Sequence, residues 1–161
     1  MNGRLSAIFV ATAAGLSACA TSAPTASVLR AEQVYAASQC GHYERTANAR
    51  WIADENAWRQ FSARLPSVPT PGIDFAREGL LLVEMGQRPS AGYGVDLAAA
   101  EVPVRDGVAV VRTRWSAPAP GMLSAQVVTS PCVLIKLSKG DFAAIQVVDQ
   151  NDQPRARLSV R

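Results

Sequence analysis

Few side chains in this 161-residue chain have the types and spacing for chemistry. Cys40 and His42 stand two apart, which on a strand points both to one face and would allow a thiol–imidazole pair or half a metal site. Nothing completes either. The chain has one histidine, no G-x-S-x-G elbow, and no C-x-x-C or H-x-x-x-H to bring a metal to four ligands. Gly92-Tyr93-Gly94 begins like a phosphate-binding turn, but Leu97 occupies the third glycine position and a strand pattern follows where a helix is needed. Glu84 and Asp96 fall on neighbouring strand candidates and would make an acid–base pair if they met. Both are expected on exposed strand faces instead. The expectation is therefore no enzyme, no metal and no cofactor.

The third cysteine has a different chemistry. Met1-Asn2-Gly3-Arg4 precedes an apolar run from Leu5 to Leu16, and Leu16-Ser17-Ala18 leads into Cys19. A positive start, an apolar stretch too short to span a bilayer and small residues before a cleavage point make a secretory signal. With the cysteine it resembles a bacterial lipoprotein signal. That resemblance implies cleavage before Cys19, diacylglycerol on its thiol and acylation of the new amine. Several acyl chains give a durable anchor where one binds reversibly. Ala20 in place of Asp after the cysteine resembles the default for the outer membrane, facing the periplasm. Residues 1–18 are thus expected to be the signal peptide and 19–27 a lipidated tether, since Ala20 to Ser27 is alanine, threonine, serine and one proline. Residues 28–161 are expected to form a single domain.

Export bears on the remaining cysteines. Cys40 and Cys132 meet oxidising conditions and are disulfide candidates; the alternative is two buried thiols. The formal net charge of +3 falls to +2 once Arg4 leaves, which implies no nucleic-acid partner. Arg155, Arg157 and Arg161 at the C-terminus read as a solvated end.

These residues are positioned by one predicted helix and a series of strands. Asp54 is a good N-cap with Glu55 behind it, and Trp58, Phe61 and Leu65 make one apolar face before Pro66 and Pro69 stop the helix. Val28 to Tyr35 reads as a strand, and Gln39-Cys40-Gly41 as a break. Glu78 to Gln87 contains Leu80-Leu81-Leu82-Val83, suited to a sheet buried on both faces. Tyr93 to Leu97 alternates. Asp106-Gly107 between Val102–Val104 and Val108–Trp115 predicts a two-residue hairpin. Ala117 to Gly121 is a Pro-rich loop. Leu123 to Thr129, Cys132 to Leu137 and Phe142 to Val148 complete the predicted strands. The fold class expected is mainly β (α+β): a small antiparallel sandwich or partly rolled sheet with one packed N-terminal helix and no parallel crossover.

From Trp58 to Leu137 the order of features resembles a known family. The helix ends in proline, and Pro71-Gly72-Ile73-Asp74-Phe75 follows. An apolar strand then runs into Gly86-Gln87-Arg88-Pro89-Ser90-Ala91-Gly92-Tyr93, and Ser130-Pro131 precedes the strand from Cys132 to Ile135. This is similar to the C-terminal domain of PrcB-like proteins, the protease-complex-stability family. The resemblance implies an exported or lipid-anchored protein without catalytic residues that binds or stabilises another envelope protein, a protease complex being the family's example. Ser90-Ala91 replaces a Thr-Gly pair, and Cys132 stands where an aromatic is common. The turn also resembles the Asn-Pro-x-Thr-Gly-Tyr loop of chagasin-like cysteine-peptidase inhibitors. That would make loops 88–93 and 117–121 a wedge for a peptidase cleft, although the Arg-Pro-Trp loop is lacking. Under either reading Arg88, Pro89, Ser90, Gly92 and Tyr93 are the partner-contact candidates, because Pro89 fixes φ, Gly92 permits a tight backbone and Tyr93 offers a large contact at low entropy cost.

Overall fold

The computed structural model describes residues 27–41, 44–64, 68 and 70–160. Among them the chain forms β1 Ser27–Ala37, β2 Asn48–Ile52, α1 Glu55–Ser62, β3 Glu78–Glu84, β4 Gly94–Leu97, β5 Glu101–Arg105, β6 Val108–Ser116, β7 Cys132–Ser138, β8 Ala144–Val148 and β9 Pro154–Ser159. Cys19, the signal and residues 19–26 of the expected tether lie outside the described residues. Ser27, assigned to that tether, opens β1.

The strands form one sheet in the order β2-β3-β7-β1-β5-β6-β8-β9, and β4 pairs with β6. β1 serves two neighbours. Its Ser27–Arg30 half pairs with β5, and its Ala31–Ala37 half pairs with β7 past a bulge between Gln33 and Tyr35. Alpha carbons of the end strands β2 and β9 come within 8 Å of each other without a ladder, so the sheet rolls into a nearly closed barrel. The mainly β, partly rolled fold expected from the sequence is therefore present.

One pairing departs from it: β6 and β8 run parallel. No helix is needed for that crossover, because β7 carries the chain back down the opposite wall before β8 rises beside β6.

The registers define two ends. Ser27↔Val104 and Glu78↔Ser138 lie at the base. Ala37↔Cys132, Glu84↔Cys132 and Gly94↔Ser116 lie at the tip.

β3 explains why the Leu80–Val83 run is continuous. Leu81 and Val83 point into the barrel with Val133, Ile135 and Val147. Leu80 and Leu82 point outward into a second core with Ile52, Trp58, Phe61 and Leu134, under α1. Each such side chain contributes about 1.5–3 kcal/mol by leaving water. The Asp54 side chain caps α1 by accepting from the Ala57 amide at 2.9 Å. Trp58 and Phe61 pack with their rings tilted by 43° and their centroids 5.6 Å apart. Leu65, Pro66 and Pro69 fall outside the described residues. Asp106 and Gly107 both have positive φ, 50° and 72°, which is the two-residue hairpin predicted.

The segment from Leu123 to Thr129 corrects the sequence reading. It is a mostly exposed loop with no ladder, ending at the buried Thr129, which makes an isolated antiparallel bridge with Arg88. With no strand beside residues 123–128, their apolar content cannot be buried by pairing.

Candidate functional site

The tip gathers the loops that the sequence singled out. β3 leaves the sheet through Gly86, whose φ of +79° suits glycine. A Cβ there would sit 2.6 Å from the Thr46 carbonyl oxygen, so the loop at residues 44–46 closes directly over the turn. The Gln87 amide donates to the Glu44 carbonyl at 2.8 Å. Arg88 then exchanges backbone hydrogen bonds with Thr129, at 2.8 and 3.0 Å. Its guanidinium donates to the carbonyls of Met85, Gln87 and Arg45 at 2.7, 3.2 and 3.4 Å. Arg88 therefore staples the turn to its neighbours, and its charge-assisted bonds are spent on the protein's own backbone.

The other contact candidates divide. Ser90 is buried, and its carbonyl accepts from the Thr129 hydroxyl at 3.0 Å. Tyr93 is half-buried against the interior core. Pro89 and Gly92 are exposed. Gly92 has φ +93°, and a Cβ on it would meet Pro118 at 3.0 Å. The Ala91 amide donates to the Ala125 carbonyl at 3.0 Å. Loops 88–93 and 117–128 are thus packed side by side.

The second loop is shaped by its own turn. Pro120 followed by Gly121 at φ +81°, with the Met122 amide donating to the Ala119 carbonyl at 3.1 Å, has the features of a type II turn. It presents Met122 and Leu123 outward, and Val127 and Val128 are exposed beside them. Val128 also lines a groove of about 390 Å³ with Arg45, Gln87, Arg88 and Pro89. Sequence reading missed this strip because its apolar residues resembled a buried strand. The signal was available in the charge pattern: no side chain from Ser116 to Ile135 is charged.

A polar network braces the same end. Asp149 is fully buried, and its carboxylate accepts from the Asn151 and Gln153 amides at 2.8 and 3.0 Å and from Arg155 Nε at 2.9 Å. Burial pushes this carboxyl up, but the Gln153 and Asn151 amides and the Arg155 guanidinium outweigh it and hold it below its ordinary value of 3.8. Arg155 lies 5.0 Å from the Trp115 ring centroid, and the Trp115 indole donates to Thr113 Oγ1 at 2.8 Å. Arg155 and Arg157 belong to β9, so they are part of a strand and not a loose end.

The chemical candidates do not assemble. Cys40 and Cys132 form a disulfide with alpha carbons 5.9 Å apart, so neither thiol is available. It pins the segment after β1 to the start of β7. His42 lies outside the described residues. Glu84 and Asp96 are not on neighbouring strands: β3 pairs with β2 and β7, whereas β4 pairs with β6. Glu84 is buried, against expectation, and Asp96 is exposed and accepts from the Gln33 amide side chain at 3.0 Å. Among the described residues no group of three or more His, Cys, Asp or Glu side chains is placed to hold a metal, and no helix is long and apolar enough to cross a membrane.

Residues 80–138 match the family model described as PrcB C-terminal, from Leu80 in β3 to the end of β7. No curated protein and no solved structure matches the chain. The chain contains a PrcB-like C-terminal segment, and both tip loops lie inside it.

Proposed function

We propose that this chain is a lipid-anchored, non-catalytic protein of the bacterial cell envelope that binds and stabilises a partner protein, with a protease complex as the first candidate. The observation that carries the reading is the pair of packed loops at the tip, 88–93 and 117–128, inside the PrcB-like segment. The tied thiols of Cys40 and Cys132 and the lipoprotein-like sequence before Cys19 support it. In this reading Cys19 holds the protein at the outer membrane, facing the periplasm, and the barrel presents its loops. Comparing envelope protease abundance in cells with and without the chain tests it. Loss of one protease complex on deletion, restored by the acylated protein, is the expected result; unchanged levels of every envelope protease overturn it.

A second reading is favoured by one contact. Gly92 packs on Pro118, so loops 88–93 and 117–121 touch, as the joint wedge of a chagasin-like inhibitor would require. Inhibition of papain-type peptidases by the purified protein is the expected consequence, and no inhibition at high micromolar concentration removes it.

A further inference from the structure

The base of the barrel, opposite the tip loops, carries a cavity of its own. It lies at the base end of the seam where β2 and β9 approach without a ladder. Trp51, Ala53, Phe142 and Val160 wall a space of about 250 Å³, with Lys139 and Gly140 exposed at its rim. A Cβ on Gly79 would collide with the Trp51 ring, so glycine there lets the ring cover β3. Phe142 meets that ring edge-on, with centroids 6.1 Å apart. The walls are therefore apolar and held in place from behind.

Lys139 is the cation of this cavity. Its Nζ donates to the carbonyls of Ala53 at 3.0 Å and Phe75 at 2.5 Å. An ammonium has three N–H groups, so one is left for water or a ligand. No carboxylate among the described residues pairs with it. Asp54, beside Ala53, accepts from the Ala57 amide, and Asp74, beside Phe75, pairs with Arg77. The two carbonyls thus fix the charge at the rim without neutralising it.

We infer that this cavity binds a small organic acid, with an aromatic or short aliphatic body against the Trp51 and Phe142 rings and its carboxylate on the third N–H of Lys139. Apolar walls with a few polar groups that fix orientation are the usual build of a small-molecule site. The space equals about eight waters at roughly 30 Å³ each, which suits an acid of about ten heavy atoms. Such an acid would bridge β2 to the end of β9 across the open seam.

The test uses the full chain in membrane nanodiscs at about pH 7, where a carboxylic acid is ionised. The chain is irradiated with para-azidohydrocinnamate, and the labelled residues are read by peptide mass spectrometry. The expected result is labelling at Trp51, Phe142 or Val160. Hydrocinnamate should compete for that labelling about tenfold better than hydrocinnamide, which has the same ring and no charge. Lys139→Met keeps the stem and loses the charge, and should lower the labelling about tenfold with an unchanged circular dichroism spectrum. Should that variant fail to fold, the acid–amide comparison on the parent chain decides. Labelling spread over other residues, no labelling, equal competition by the amide, or full labelling of a folded Lys139→Met overturns the inference.

Discussion

Two apolar stretches of this chain meet opposite fates. Leu80 to Val83 in β3 are at most 2% exposed, whereas Met122, Leu123, Val127 and Val128 are 45–101% exposed. Composition does not separate them; their neighbours do. β3 has a ladder on each edge, with β2 and β7, and a core on each face. Residues 122–128 have no ladder: a turn lies at one end, the Thr129–Arg88 bridge at the other, and between them single bonds run from the Ala91 amide to the Ala125 carbonyl and from the Gln39 side chain to the Val128 carbonyl. A backbone without strand partners cannot carry its side chains into the core without leaving amides and carbonyls unpaired. The apolar residues held outside in this way are, in the proposed function, the surface that the partner covers.

The contrast predicts a ranked set of outcomes. Replacing both Cys40 and Cys132 by alanine should destabilise the protein most, by about 4.6 kcal/mol in the chain-entropy model for a 92-residue separation, as read by denaturant unfolding. Leu81→Ala should cost about 3 kcal/mol in the same measurement, since it opens a cavity inside the barrel. A smaller effect belongs to acid. The folded Asp149 carboxyl titrates below 3.8 while the unfolded one titrates near it, so the unfolded chain binds the proton more readily. Its stabilising contribution is fully present above that value and is lost as pH falls through the folded pKa. Asp149→Asn should therefore lower the melting temperature at pH 7, with the gap to the parent closing below about pH 3.8. Leu123→Ala should change stability least, within about 0.5 kcal/mol, because the side chain is already in water. A large loss at Leu123 would erase the contrast with β3.

Much of the scaffold was legible from local signals. The Asp54 cap, the Trp58–Phe61 face and the Asp106-Gly107 hairpin each follow from adjacent residues, and the doubly buried β3 follows from its unbroken apolar run. What was missed depends on distant neighbours. β2 is Asn-Ala-Arg-Trp-Ile, with no clear alternation; it pairs with the free edge of β3, and Trp51 lies over Gly79, where a Cβ would sit 2.3 Å from its ring. β9 looked like a solvated basic end because its arginines face out, while Ala156 and Leu158 pack on the core. The parallel pairing of β6 with β8 leaves no mark in either strand alone. At the candidate site, the loop 88–93 was recognisable from its turn residues. The stapling role of Arg88 was not, since the three carbonyls it binds are set by the fold.

Whether the tip strip serves a partner while the core strands serve the fold is decided by Leu123→Asp made in the native cell. Its thermal melt and the quantitative proteome of the envelope are read together. The expected result is an unchanged melt and a fall in one envelope protein to the level seen without the chain. An unchanged melt with an unchanged envelope proteome would contradict it.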